Sequence, residues 1–305
     1  MTAAIFNAIV VGSDGQRGRG AASLAQVLAT ATGARLLLVG VECEMPLPLV
    51  ESYTQLRTAL EQELRGVRDE HAPDALTQVT IDMSAAHALR RIAETEHADL
   101  VVVGSRHHGR LERLTSGDHA MQVLHGAPCA VAIAPDHLPV CRSLDRIGVG
   151  INSTPESGLA LDMALELARR TGASIRLLAV ANDVYPGPPG LVEPASFTEN
   201  YRQIIDTRLQ MARRAIDDAL EQCTGVPADG DVRLGDPVRE LNTLTSECDL
   251  LVLGSRRWGP VRRLVLGGTS EAVIRDASCP VLVPPRHATA EHHDGQRAEA
   301  AADVA

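Results

Sequence analysis

Asp99-Leu-Val-Val-Val-Gly-Ser105, followed by Ala127-Pro-Cys-Ala-Val-Ala-Ile-Ala-Pro135, is written a second time about 150 residues on, as Asp249-Leu-Leu-Val-Leu-Gly-Ser255 followed by Ala277-Ser-Cys-Pro-Val-Leu-Val-Pro-Pro285. Each copy holds two short apolar runs rich in Val, Leu and Ile or Ala, with a Gly- and Arg-rich loop and a short helical pattern between them. Short continuous apolar runs of this kind suit strands buried on both faces of a parallel sheet. A strand that ends in a glycine loop and a helix N-terminus is also where such sheets take up anions and nucleotides. The duplication makes the chain two copies of one domain.

Outward from these blocks the same alternation continues. Apolar runs fall at 8–13, 35–41, 78–81, 100–104 and 129–134, and again at 146–151, 174–180, 231–234, 250–254 and 279–283. Helical patterns fall near 18–32, 52–71, 84–97 and 117–126, and near 155–171, 197–223, 237–247 and 268–277. Each half reads strand then helix four times, then a last strand. The expected fold is α/β: two tandem doubly wound domains, each a five-stranded parallel sheet flanked by helices. The expected domains are 1–138 and 145–286, with 135–144 carrying the linker, and 287–305 is expected to be a disordered polar tail. Gly33-Ala34 matches Gly172-Ala173 and Gly104 matches Gly254, so the second copy gains about eleven residues between these marks. The Pro/Gly-rich stretch 182–194 is their expected place.

Composition narrows the chemistry. At 305 residues each half can bury its own core, and with 45 % apolar but only 2 % aromatic residues that core must be aliphatic. A net charge of −10 argues against general nucleic-acid binding. All 29 basic residues are arginine, which excludes a Walker-type phosphate loop, a pyridoxal Schiff base and any lysine nucleophile. Arginine remains well suited to phosphate. The six cysteines show no CxxC, and Cys129 and Cys279 take the same place in the two copies; they are expected to be buried, reduced and structural. No run has the length of a membrane span, and Met1-Thr-Ala-Ala-Ile-Phe-Asn7 lacks the basic start of a signal peptide. A cytoplasmic protein with no membrane insertion is expected.

Three features gather at the carboxyl edge of the strands: the turns Gly12-Ser-Asp-Gly-Gln-Arg-Gly18 and Gly150-Ile-Asn-Ser-Thr-Pro155, the ends of the second strands at Val41 and Val180, and the loops after the fourth strands. With these residues the chain resembles the universal stress protein family in its tandem two-domain form, over about residues 4–286. The family's nucleotide-binding members carry Gly, two residues, Gly, nine residues, then Gly followed by Ser or Thr. The resemblance implies a Rossmann-like fold of the adenine-nucleotide α-hydrolase type. It implies that an Asp after the first strand faces adenosine, that backbone at the end of the second strand contacts adenine, and that the fourth-strand loop holds ribose and phosphates.

Both copies depart from that pattern. In the first, Asp14 takes the aspartate place and Gly104 that of the first glycine; His107 replaces the second glycine, and Gly117 is followed by Asp118. In the second, Asn152 replaces the aspartate, Gly254 is present, Arg257 replaces the second glycine, and Gly267-Gly268-Thr269 supplies the last pair in one of two registers. Asp118 at a helix start would cap the N–H groups that phosphate needs and would repel a polyanion, so the first site is expected to be impaired. The second is flanked by Arg256, Arg257, Arg262 and Arg263, which read either as phosphate ligands or as a solvated surface. Arg257 either blocks the close approach that glycine allows or binds phosphate itself. Asp14 reads either as a ligand contact or as an Asx-turn residue. His107, His108, His119 and His125 make no close ligand set with an acid or cysteine, and His292-His293 lies in the tail, so no metal site is expected.

No Gly-x-Ser-x-Gly elbow or HExxH is present, and catalysis has no support. The resemblance implies a stress-response regulator binding an adenine nucleotide, ATP with Mg²⁺, mainly in the second domain, with its output through conformation or an unknown regulatory partner. The alternative is an interaction module that has lost nucleotide binding, and a third is an enzyme on the related fold. The resemblance also implies that the fifth strands of the two halves pair within one chain and that whole chains form a homodimer.

Overall fold

The computed structural model describes residues 5–14, 18–43, 50–105, 122–123, 125–135, 140–183, 195–255 and 267–285. The first half runs β1 Ala8–Ser13, α1 Arg19–Thr32, β2 Arg35–Cys43, α2 Val50–His71, β3 Leu76–Asp82, α3 Ala85–Thr95, β4 Leu100–Ser105 and β5 Ala130–Pro135. The second runs β6 Arg146–Ile151, α4 Pro155–Thr171, β7 Ser174–Asn182, α5 Ala195–Gln222, β8 Ala228–Gly235, α6 Pro237–Thr245, β9 Leu250–Val252, α7 Gly268–Asp276 and β10 Val281–Val283. The helical pattern at 117–126 falls mostly outside the described residues, and the whole tail with His292-His293 falls outside them entirely.

The aspartate that opens each duplicated block is a clamp. Asp99 accepts the backbone N–H groups of Asn7 (2.6 Å) and Ala8 (3.2 Å). Asp249 accepts those of Asp145 (2.9 Å) and Arg146 (2.8 Å). Each carboxylate thus ties the start of the fourth strand of its half to the start of the first, with charge-assisted bonds that are stronger than neutral ones. The helices that follow the first strands also end alike. Gly33 and Gly172 cap α1 and α4 in the left-handed region (φ 75° and 77°), where a side chain is disfavoured, and donate to Ala29 and Ala168.

All ten strands form one sheet, in the order β3-β2-β1-β4-β5-β10-β9-β6-β7-β8. Every pairing within a half is parallel, and the halves meet where β5 and β10 run antiparallel, with Ala132 opposite Leu282. The expected pairing of the fifth strands within one chain is present. Two apolar layers cover the sheet. One packs Leu28, Leu64, Leu161 and Leu167 on one face, and the other packs Leu89, Ile92, Leu244 and Val273 on the opposite face. Each layer draws on both halves, so the core crosses the seam. Burying each such side chain contributes about 1.5–3 kcal/mol.

The additional length of the second copy lies only partly in the connection after β7. Helix α5 has 28 residues against 22 in α2, so the helix itself takes up part of the difference. Strand β9 stops at Val252 rather than Gly254, although the Leu253 N–H still bonds to the Leu282 carbonyl at 3.0 Å. Among the described residues no helix is long and apolar enough to cross a membrane.

Candidate functional site

Strand order reverses direction between β6 and β9, and at that switch point the carboxyl ends of the strands leave a crevice. A cleft of about 340 Å³ opens there. Its apolar wall is Leu178 and Val180 of β7, Leu241 of α6, and Leu253. Leu178 and Val180 stand two residues apart on one strand and so share a face. Opposite lie the β6–α4 turn, Leu253-Gly254-Ser255 beyond β9, and the start of α7 at Gly267-Gly268-Thr269-Ser270.

The turn is held by its own side chains. Thr154 donates its N–H (3.3 Å) and its hydroxyl (2.7 Å) to Oδ1 of Asn152, forming an Asx turn, and Ser153 takes φ 55°. Thr154 then caps α4, its Oγ1 accepting the N–H of Ser157 at 3.3 Å, and Pro155 occupies the first helical position, where its missing N–H costs nothing. Glu156 follows, buried, in the first turn of α4 and on the wall of the cleft.

The two glycine positions differ in kind. A Cβ at Gly254 would fall 2.8 Å from both the carbonyl carbon and oxygen of Glu156, so only glycine lets the β9 loop lie against α4. Gly267 is the N-cap of α7, at φ −81° with no side-chain cap bond, and a Cβ at Gly267 or Gly268 would meet nothing within 4 Å among the described residues. Helix α7 begins at Gly268, so Gly268-Thr269 is its first pair and Gly267 its cap. Ser270 ties this turn to the β9 loop by donating to the Gly254 carbonyl at 3.2 Å. The initial N–H groups of a helix lack intrahelical partners and carry partial positive charge, which makes this end suited to an anion.

The structure therefore gathers Asn152, Val180, Gly254, Gly267, Gly268 and Thr269 around one cleft. Arg256, Arg257, Arg262 and Arg263 lie outside the described residues. Sequence reasoning quoted Thr154 only as part of the turn at 150–155, and it missed Glu156, Pro237 and Leu241. The signals were there: Asp236-Pro237 is a cap followed by proline at the first helical position, and Thr154-Pro155-Glu156 repeats it with an acid in the first turn.

In the first half Asp14 is exposed just past β1, Val41 sits on β2 opposite Thr80, and Gly104 on β4 opposite Ala134. All three occupy the same carboxyl edge; Gly117, Asp118 and His107 lie outside the described residues. Five residues separate β1 from α1, against three between β6 and α4. Gly18 caps α1 without a side chain, and a Cβ there would collide with Ser13. Where α6 starts with Asp236-Pro237, α3 starts with Ser84 as cap, and Nδ1 of His87 meets the Asp82 carboxylate at 2.8 Å. Burial drives the Asp82 carboxyl up, but hydrogen bonds from His87 and the Ser84 N–H, with the charge of His87, outweigh it and hold it below the ordinary aspartate range.

The cysteines are free. Burial pushes the Cys129 thiol up to about 12, helped by Asp99, and Cys279 is raised by burial too. Both stay protonated near neutrality and serve as small apolar groups. Among the described residues no group of three or more His, Cys, Asp or Glu side chains is arranged to hold a metal ion.

The model of the universal stress protein family matches residues 6–135 and 143–285. Universal stress protein Rv2319c of Mycobacterium tuberculosis is 29% identical over 210 residues, covering 66% of this chain and 69% of that protein. Universal stress protein Rv2005c of the same organism is 30% identical over 199 residues, 62% of each. Among solved structures, a universal stress protein from Archaeoglobus fulgidus superposes with a TM-score of 0.63 at 17% identity, covering 92% of this chain and 97% of the other.

Proposed function

The chain belongs to the universal stress protein family, and from that premise we propose that it is a cytoplasmic stress-response regulator that binds an adenine nucleotide, ATP with Mg²⁺, chiefly in its second half. The observation that carries this reading is the start of α7, an N-cap without a side-chain bond that faces a cleft of about 340 Å³ across from an apolar wall. The size falls in the range of about 300–1,000 Å³ common for small-molecule sites. The residues fit the ligand in kind. Leu178, Val180, Leu241 and Leu253 offer a slot for a flat base. The backbone N–H groups at Gly268 and Thr269 suit phosphate oxygens, and the Thr269 hydroxyl suits phosphate or Mg²⁺. Arg256 and Arg257 follow Gly254-Ser255 in sequence; they lie outside the described residues, and their proposed role is phosphate binding. Asn152 spends its Oδ1 on Thr154 and so acts by shaping the turn.

The reading is one of binding, with output through conformation or partner affinity, which requires that the nucleotide favour one state over another. The test is calorimetric titration of nucleotide-free protein with Mg-ATP, beside the Gly267→Glu variant. Gly267 has ordinary backbone angles and no described residue within 4 Å of an added Cβ, so the variant is expected to fold and to bring a carboxylate to the phosphate end. One site per chain, abolished by Gly267→Glu, is expected; unchanged affinity in that variant overturns the site. The first half suits the second reading, an interaction surface without nucleotide. A Cβ at Gly18 would collide with Ser13, and Asp118 follows Gly117 where the family has Ser or Thr.

A further inference from the structure

We propose that Glu156 reads the sugar of the bound nucleotide, its buried carboxylate accepting both hydroxyls of a ribose 2′,3′-diol. The inference rests on the nucleotide reading of the second cleft and narrows it from an adenine nucleotide to a ribonucleotide.

Among the described residues that line the cleft, Glu156 is the one that carries a charge. Its residue surface is only 6% exposed. An acid in the first turn of a helix favours the helix dipole, but an acid exposed to water does that as well. Burying a carboxylate is costly, and hydrogen-bond donors offset the cost. On the wall of a ligand-sized cleft, Glu156 stands where the donors of a ligand can do so.

Position selects which part of the ligand it meets. Base and phosphate are the two ends of a nucleotide, and the sugar lies between them. The apolar slot sits over β6, where a Cβ at Gly150 would meet Leu253 at 2.9 Å and Leu241 at 3.2 Å. The anion end is the start of α7, which Ser270 ties to the Gly254 carbonyl. Leu253-Gly254 joins the two ends, and Glu156 packs at that junction, its Cβ 3.1 Å from the Cβ that Gly254 lacks. A carboxylate there repels phosphate but accepts from hydroxyls, and its two oxygens match two neighbouring O–H donors. Dinucleotide-binding folds use an acid on ribose hydroxyls in the same way.

The two halves place their acids differently. The first has Asp14 just past β1 and no acid in the first turn of α1. The second has Asn152 at the corresponding place, with its Oδ1 spent on Thr154, and Glu156 in the first turn of α4. The carboxylate of the second half thus stands four residues further on, fixed by a helix rather than held in a turn.

The experiment is calorimetric titration of the nucleotide-free full chain with the Mg²⁺ complexes of ATP, 2′-deoxy-ATP and 3′-deoxy-ATP, for wild type, Glu156→Ala and Glu156→Gln. Each deoxy analogue is expected to bind wild type at least about tenfold more weakly than ATP, the worth of one hydrogen bond to a charged group. In Glu156→Ala the three affinities should fall within about twofold of one another, because the acceptor is gone. Should Glu156→Ala fail to fold, Glu156→Gln decides by a smaller deoxy penalty than wild type. A Glu156 that held Mg²⁺ or only shaped the turn would weaken all three nucleotides alike, and an unchanged ratio in the variants overturns the inference. Wild type that binds ATP and both analogues equally overturns it as well and leaves the nucleotide reading standing. Binding of none of the three overturns both.

Discussion

The two halves are built on one scaffold and finished differently. Their strands share an order, their first helices end in the same left-handed glycine, and Asp99 and Asp249 clamp equivalent strand starts. They part at the carboxyl ends and at the outer edges. The second half has Thr154 as a cap where the first has Gly18, Asp236-Pro237 where the first has Ser84-Ala85, and an outer strand with Asp229, Asp231 and Arg233 where the first has Asp82 as its one charge. Positions that packing fixes stay alike after a duplication, because a change there costs stability in a shared core. Positions that face solvent or ligand are free to diverge, and those carry function.

The most severe way to break the comparison is in the core. Leu28 and Leu167 are both fully buried on equivalent helices. Leu28→Ala and Leu167→Ala should each cost about 2–5 kcal/mol. Because both lie in a layer that crosses the seam, each variant should show one unfolding transition in urea. Two separated transitions would show that the halves unfold independently.

Next come the glycines of the second cleft. Gly254→Ala, with its Cβ 2.8 Å from backbone, should cost about 1–3 kcal/mol, whereas Gly267→Ala should stay within about 0.5 kcal/mol. Equal melting temperatures would remove the packing account of Gly254. The caps sharpen the contrast further. Thr154→Ala should lose about 1 kcal/mol by freeing the Ser157 N–H.

The smallest effect is expected at Asp82, whose depressed pKa adds stability above the ordinary aspartate range that is lost as pH falls through its own lower value. Asp82→Asn should therefore melt below wild type near neutral pH, with the gap closing in acid. A gap that persists at low pH would assign the effect to packing instead.

Much of this was legible in sequence because periodicity and duplication are local and repeated signals. The strands at 8–13 and 146–151 and the helix at 155–171 fall where the pattern places them. The clamp was not legible: Asp99 and Asp249 stood in the quoted blocks, yet their partners lie about a hundred residues away. The division of the additional length between a connection and α5 was hidden for a different reason, since a longer amphipathic helix keeps the same period.

By itself the sequence determined that there are two copies, that each alternates strand and helix, and that glycine loops end the fourth strands. Those features follow from side-chain period and backbone freedom, which each segment carries with it. Only the tertiary structure decided that Gly254 must be glycine while Gly267 need not be, that Pro237 and Leu241 reach the same cleft as Thr269, and that β3 and β8 become the outer edges. These depend on which distant segments touch, and contact between segments far apart in the chain is set by the packed core as a whole.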